Sequence, residues 1–171
     1  PHAAPPIATV TINAVPTPPT APTVASTTQP TCAVPTGTIV LTAQAGVEYS
    51  SNNGTTYQAG ATFAGLAPGT YTLRVRSIAD NTCSTPAAST VTINAVPTPP
   101  TAPTVASTTQ PTCAIPTGTI VFTAQAGVEY SINTGTSYQA RVSFAGLSPG
   151  TYTLRVRSIA DNTCSTPAAA T

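Results

Sequence analysis

Residues 70–76, TYTLRVR, alternate strictly between polar and apolar side chains. In an extended chain, Tyr71, Leu73 and Val75 lie on one face, and the threonines and arginines between them lie on the other. The same seven residues recur at 151–157. Nineteen prolines leave no room for a long helix, and the frequent threonines and valines favour strands. The sequence therefore predicts an all-β protein.

The chain is a repeat with a period of 81 residues. Residues 10–90 and 91–171 align without a gap and differ at ten positions. A unit of this length suits a small β-sandwich better than a solenoid repeat, which has about 20–50 residues. Turn signals separate about seven strands per copy, predicted in the first copy near 23–27, 38–44, 47–51, 56–59, 61–64, 70–78 and 89–95.

Two local motifs refine this prediction. Asn53-Gly54 is typical of a tight hairpin turn, because both residues tolerate positive φ. The segment 66–71, LAPGTY, is similar to the tyrosine corner of immunoglobulin-type sandwiches. Tyr71, and Tyr152 in the second copy, are then expected to bond back to an upstream backbone group. The predicted fold is two tandem immunoglobulin-like β-sandwich domains.

Proline-rich spacers with the sequence PTPPTAP divide the chain and are expected to form semi-rigid polyproline II segments. Their threonines are candidate acceptors for O-glycans. The predicted segments are an N-terminal strand at 1–15, a spacer at 16–22, domain 1 at 23–96, a spacer at 97–103 and domain 2 at 104–171.

The frame of the repeat predicts how molecules associate. The strand VTINAV at 91–96 is expected to complete domain 1, whereas Thr171 aligns with Thr90, so that domain 2 is expected to lack its final strand. Residues 10–15 carry the same VTINAV sequence with no domain in front of them, and one face of this strand presents Val10, Ile12 and Ala14.

A sandwich without an edge strand exposes an apolar groove and unpaired backbone groups, which a strand from another molecule can fill. The prediction is a structural subunit of a pilus-like filament, whose N-terminal strand enters domain 2 of the next, identical subunit. The alternative is a two-repeat excerpt of a long cell-surface adhesin stalk.

Four cysteines allow three pairings. Cys32 and Cys83 are 51 residues apart, as are Cys113 and Cys164, and the repeat favours one bridge inside each domain: Cys32–Cys83 and Cys113–Cys164. There is no CxxC pair and no cysteine–histidine cluster, which argues against a metal or redox site. Paired cysteines in a small β protein indicate an oxidising, extracellular location.

Few side chains are suited to chemistry. Charged residues make up 5% of the chain and the net charge is +1, which argues against nucleic-acid binding. The apolar runs are too short for a membrane helix. Glu48 is predicted to pair with Arg74 on an exposed face, and His2 lies in a proline-rich terminus. We therefore predict no enzymatic activity, no cofactor and no bound metal.

The segments TTQPTCAVPTGTIVLTAQAG, YSSNNGTTYQAGATFAGLAPGTYTLRVRS and VTINAVP resemble the tandem repeats of very large surface adhesins of Bacteroidetes-type bacteria. The resemblance covers each copy. It implies an immunoglobulin-like fold, export to the cell surface and a structural or adhesive role. The out-of-frame ends are instead similar to those of donor-strand pilins.

The chain begins at Pro1 without an initiator methionine, and we expect a mature segment whose export signal has been removed.

Overall fold

The computed structural model describes residues 9–169, and every regular element in that range is a β-strand. The all-β class is thus confirmed. The strands of the first copy are β1 (Val24–Thr28), β2 (Gly37–Leu41), β3 (Val47–Ser50), β4 (Thr62–Leu66), β5 (Gly69–Tyr71), β6 (Arg74–Ser77), β7 (Ser84–Pro86) and β8 (Val91–Ile93). Those of the second copy are β9 (Val105–Thr109), β10 (Gly118–Phe122), β11 (Val128–Ser131), β12 (Ser143–Leu147), β13 (Arg155–Ser158) and β14 (Ser165–Pro167).

The two copies build the same three-stranded sheets. In the first copy the strand orders are β1-β2-β4 and β3-β6-β7, and in the second they are β9-β10-β12 and β11-β13-β14. The first copy has one further pair, β5 beside β8. Among the described residues of the second copy, the segment 150–152, which is equivalent to β5, forms no strand.

The predicted strand at 70–78 is in fact two strands, because β5 and β6 belong to different sheets. The predicted strand at 56–59 is reduced to an isolated bridge between Tyr49 and Gln58. The strand β7 was not predicted, since its three residues STP carry no alternation. Short edge segments of this kind take their conformation from the neighbouring strand and lack a pattern of their own.

The turn at Asn53-Gly54 is confirmed, but it lies in the loop between β3 and Gln58 and does not directly join two strands as a tight hairpin would. Asn53 has a φ of 57° and Gly54 a φ of 89°, so both occupy the left-handed region that a tight hairpin requires. Thr134 replaces the asparagine in the second copy and adopts a φ of 61°. The turn geometry is therefore kept even where the side chain is unfavourable for it.

The partner of Glu48 in the sheet of β3 and β6 differs from the prediction. Antiparallel pairing of β3 with β6 places Glu48 opposite Arg76, and Arg76 donates to Glu48 Oε2 from Nε (2.9 Å) and Nη2 (2.7 Å). Arg74 lies opposite Ser50, two residues away along the strand. The predicted partner was wrong because alternation identifies the face of a strand and not its register. The Arg76 guanidinium also stacks 4.1 Å from the centre of the Tyr57 ring.

Each copy buries an apolar core, but the two cores are not closed to the same degree. In the first copy Ile39 and Leu73 have no exposed surface. Their equivalents Ile120 and Leu154 are half-buried. Both copies bury a second set of equivalent positions, which in the second copy are Phe122, Val128, Tyr130 and Val156.

Backbone contacts divide the chain into two compact units, each made of several segments. Unit 1 comprises Pro1–Ser26, Val40–Phe63 and Thr70–Val91, and unit 2 comprises Thr27–Ile39, Ala64–Gly69 and Thr92–Thr171. Unit 2 therefore contains segments of both sequence copies. The domain boundaries expected at 23–96 and 104–171 remain predictions.

Within the described range, no helix has the length and apolar character that a membrane crossing requires.

The unequal closure of the two cores gives a testable difference. We expect Leu73→Ala to lower the free energy of unfolding by about 2–4 kcal/mol, because it empties a fully enclosed site. The same change at the equivalent Leu154 should cost clearly less, since that side chain already contacts solvent. Urea unfolding of the two variants measures both values, and equal losses would contradict the difference in enclosure.

Candidate functional site

Ile93 of β8 is tightly packed in a buried position of unit 2, which we call its seat. The residue is 1% exposed, and a Cβ atom added at Gly37 would lie 2.7 Å from Ile93 Cγ2. Only glycine at position 37 lets the isoleucine approach the backbone of β2 this closely. Ile93 and Gly37 therefore form a matched pair, in which an absent side chain on one strand accommodates a large one on the other.

The backbone around Ile93 is held by a side-chain clamp. Gln29 Nε2 donates to the Thr92 carbonyl (3.1 Å), and the Asn94 backbone N–H donates to Gln29 Oε1 (2.8 Å). One amide group thus satisfies both an acceptor and a donor of the strand, as a neighbouring strand would. Sequence analysis did not identify Gln29, because a single glutamine after a threonine run carries no recognisable signal.

The equivalent seat in the second copy is an open cavity of about 140 Å³. Its lining includes Gln110, Gly118 and Ile120, which correspond to Gln29, Gly37 and Ile39 of the first copy. A second cavity, of about 570 Å³, is lined by Val105, Leu154 and Pro167 among others, and Tyr152 contributes to both. We call the lining of these two cavities the acceptor groove.

The segment 10–15 has the sequence of 91–96 but a different environment. None of its residues lies in a strand, and all of them are exposed, Ala14 included. Val10 is 90% exposed, Ile12 is 93% exposed and Val15 is 88% exposed. Three large apolar side chains are therefore exposed within six residues, which is unusual for the surface of a folded protein. The remainder of the predicted N-terminal strand, residues 1–8 with His2, lies outside the described residues.

The disulfide pairing differs from the prediction. Cys32 is bonded to Cys164, with their Cα atoms 5.1 Å apart, and Cys83 and Cys113 are free thiols. The bridges expected at Cys32–Cys83 and Cys113–Cys164 are therefore absent. The repeat could not distinguish them, because a bridge from one copy to the next uses the same two repeat positions as a bridge inside one copy.

A polar loop surrounds the bridge in unit 2. The Cys32 backbone N–H donates to Asp161 Oδ2 (2.9 Å), and the Ala33 N–H donates to Thr163 Oγ1 (3.2 Å). The pKa of Asp161 is lowered, chiefly by the hydrogen bond from the Thr163 hydroxyl and next by the Cys32 N–H. An ionised carboxylate therefore holds the incoming cysteine backbone.

The corresponding loop in unit 1 carries a free thiol. Cys83 Sγ lies 3.6 Å from Asp80 Oδ2 and 3.9 Å from the Pro16 carbonyl. Desolvation raises the pKa of Cys83, and the negative charge of Asp80 raises it further. The pKa of Asp80 is lowered by hydrogen bonds from the side chain and backbone of Thr82.

The tyrosine of the predicted corner makes a backbone contact in the second copy. The Tyr152 hydroxyl donates to the Ser148 carbonyl (2.7 Å), four residues upstream. Tyr71, its equivalent, lies in β5. Since Tyr152 also lines the acceptor groove, this hydrogen bond fixes one wall of the groove.

One group of residues in the described range has the composition of a metal site: Cys32, Asp161 and Cys164, whose ligand atoms lie within 4.8 Å of one another. Both sulfur atoms are joined in the disulfide, so they do not offer thiolate ligands. The cluster is therefore better described as a covalent crosslink with a carboxylate beside it.

No protein-family model matches the chain, and no curated protein is significantly similar to it. Its function is therefore inferred from the acceptor groove, the exposed segment and the cysteines.

The charge of Asp80 should control the reactivity of Cys83. We expect Asp80→Asn to accelerate alkylation of Cys83 by iodoacetamide at pH 8 about two- to five-fold, because removing the charge lowers the pKa of the thiol. Mass spectrometry of the alkylated peptides measures the rate. Cys113 in the same molecule is the internal control, and an unchanged rate at Cys83 would refute the role of Asp80.

Proposed function

We propose that the protein is a structural subunit of an extracellular, pilus-like filament, in which residues 10–15 of one molecule enter the acceptor groove of the next. One observation carries the proposal. Ile93 fills its seat in the first copy, the equivalent seat is open in the second, and an exposed segment with the same six residues is present in the chain.

Ile12 is the residue that this arrangement buries most. It would take the place of Ile93, facing Gly118 and Ile120. Moving an isoleucine side chain from 93% exposure into a closed core contributes about 1.5–3 kcal/mol. Insertion would also cover Ile120 and Leu154, which are half-buried without a partner. The favourable free energy of burial therefore comes from both the donated segment and the acceptor groove.

Hydrogen bonds add specificity to the apolar contact. Gln110 corresponds to Gln29 and can clamp the Thr11 carbonyl and the Asn13 N–H as Gln29 clamps those of Thr92 and Asn94. The segment 150–152 would gain the strand partner that β5 has in β8. A chain that adds a strand to an open edge in this way binds mainly through its backbone.

The proposed contact joins two different surfaces, so it generates an open filament and not a closed dimer. The spacer that follows the donated segment, 16–22, has the same sequence as the spacer at 97–103. The connection between two molecules would therefore consist of the same strand and spacer as the connection between the two copies of one molecule. O-glycans on the spacer threonines are part of this proposal, as a source of solubility for a chain with few charges.

The finer fold assignment belongs to the same proposal. The paired three-stranded sheets of each copy support an immunoglobulin-like sandwich, completed in the second copy by the donated strand. The disulfide supports an oxidising location, and the resemblance to bacterial adhesin repeats supports the cell surface.

The second candidate is a stretch of a long adhesin stalk, in which a further VTINAV segment of the same polypeptide fills the acceptor groove. The 81-residue period favours this candidate, since the internal joint at 91–96 is covalent. Boiling the native material in detergent and reductant separates the two. A filament of separate subunits yields bands near 17.0 kDa, and a stalk yields a much larger chain.

Two neighbouring substitutions test strand donation. We expect Ile12→Asp to abolish self-association, because it would bury an unpaired carboxylate in the acceptor groove. Asn13→Asp should leave association nearly unchanged, since the equivalent Asn94 is exposed. Both variants add one negative charge to an exposed segment, so the folded subunit is unaffected. Light scattering and electron microscopy of the purified chains measure assembly.

Equal behaviour of the two aspartate variants would contradict the proposal. Circular dichroism and the unfolding midpoint serve as controls, and both should match the wild type.

Gln110 should contribute to affinity without being required for folding. We expect Gln110→Ala to weaken binding of a synthetic peptide with the sequence of residues 9–15 roughly ten-fold, because two hydrogen bonds to the strand backbone are lost. Isothermal titration calorimetry measures the affinity. Gln125→Ala is the matched control, since Gln125 bonds to Thr101 away from the groove, and an equal loss in that variant would refute the clamp.

A further inference from the structure

The formed disulfide and the two free thiols follow one pattern. Cys113 occupies the repeat position of Cys32, and Cys83 occupies the repeat position of Cys164. The bond between Cys32 and Cys164 therefore uses one cysteine from each copy, and each copy retains the other half of an identical pair.

The loop around the free Cys83 already has the geometry of the bonded loop. Thr82 donates to Asp80 Oδ1 from its backbone N–H (2.9 Å) and hydroxyl (2.6 Å), and the Cys83 N–H donates to the Asp80 carbonyl (3.0 Å). The three hydrogen bonds of the bonded loop, from Thr163 and Cys164 to Asp161, have lengths of 2.9, 2.7 and 3.0 Å.

Asp80 differs from Asp161 in what it accepts. Asp161 Oδ2 accepts the backbone N–H of Cys32, which comes from the other copy. Among the described residues, no backbone N–H donates to Asp80 Oδ2, and its nearby group is the Cys83 thiol. Asp80 Oδ2 thus accepts the Cys83 thiol, as Asp161 Oδ2 contacts the Cys164 sulfur, and it has a further lone pair for the backbone N–H of an incoming cysteine.

The loop around the free Cys113 is equally well formed. The Thr112 N–H donates to the Ile115 carbonyl (2.7 Å), and the Ile115 N–H donates to Thr112 Oγ1 (3.1 Å). The bonded loop has the same two contacts between Thr31 and Val34, at 2.8 and 3.0 Å. Cys113 is exposed, so it can reach a second molecule.

We propose that Cys113 of one molecule forms a disulfide with Cys83 of the next, and that this bond locks the same joint that the donated strand makes. The inference rests on the proposed function, because strand donation brings the two cysteines together. In the joint, the Cys113 N–H would donate to Asp80 and the Ala114 N–H to Thr82, as Cys32 and Ala33 do to Asp161 and Thr163.

The bond needs an oxidant, and a small-molecule disulfide supplies it by exchange. One thiol, as its thiolate, attacks the small disulfide and releases one small thiol. The second thiolate then attacks the mixed disulfide and releases the other. Two protein thiols are oxidised to one disulfide, and one small disulfide is reduced to two thiols. Because burial and Asp80 raise the pKa of Cys83, the exposed Cys113 is the better site for the first attack.

Two single variants test which cysteines pair. Cys83→Ser retains only Cys113 as a free thiol, and Cys113→Ser retains only Cys83. The full-length chains are incubated with glutathione disulfide, alone and as an equal mixture, and run on gels without reductant. We expect the wild type to form a ladder in steps of 17.0 kDa. Each variant alone should remain monomeric, and the mixture should give one band at the dimer position.

Mass spectrometry of the mixed dimer should find the peptide of Cys113 joined to that of Cys83. Homodimers of either variant that form as readily as the mixed dimer would overturn the proposal, as would a ladder that persists in either variant. The double variant Cys83→Ser, Cys113→Ser retains the Cys32–Cys164 bridge and is the matched control for oxidation elsewhere.

The same variants separate this inference from the proposed function. If the double cysteine variant still assembles into filaments, and the single variants form no mixed dimer, strand donation stands and the disulfide is excluded. If Ile12→Asp abolishes both assembly and the ladder, the bond depends on the donated strand. A full ladder from Ile12→Asp chains would show that the cysteines meet without strand donation.

Discussion

The seating of one isoleucine against one glycine governs the whole arrangement. Ile93 is fully buried because Gly37 leaves room for it and Gln29 holds the backbone on either side of it. Ile39 and Leu73 of the first copy are sealed from water, whereas Ile120 and Leu154 of the second copy are half-buried. Under the proposed function, a donated strand would complete the core of the second copy as β8 does in the first.

The disulfide, like the strand β8, connects one copy to the next. Cys32 is bonded to a cysteine of the following copy, and the Asp161 carboxylate receives its backbone. Two independent contacts, one apolar and one covalent, thus join residues of successive copies. The thiols that remain free are Cys83 and Cys113, one in each copy.

Sequence reasoning was most successful where a local pattern determines the structure. Alternation identified β6, and the Asn53-Gly54 pair identified a turn because both residues tolerate positive φ. It failed where the answer depended on which segment meets which. The Glu48 partner required a register, the cysteine pairing required a choice between copies, and the Gln29 clamp required knowledge of a strand more than sixty residues away. Self-similarity makes such choices harder, because every contact has a duplicate candidate at the same repeat position.

The placement of the few charges has a consequence for where such a polymer could persist. Glu48 and Arg76 neutralise each other inside one sheet, and Glu129 and Arg157 do the same in the second copy. The proposed strand joint would contain none of these ions and would rely on apolar burial and amide hydrogen bonds. Dissolved electrolyte screens exposed charges but leaves apolar contacts intact or strengthens them. Material built this way should keep its cohesion from fresh water to brine, a tolerance that fibres held by ionic contacts do not have.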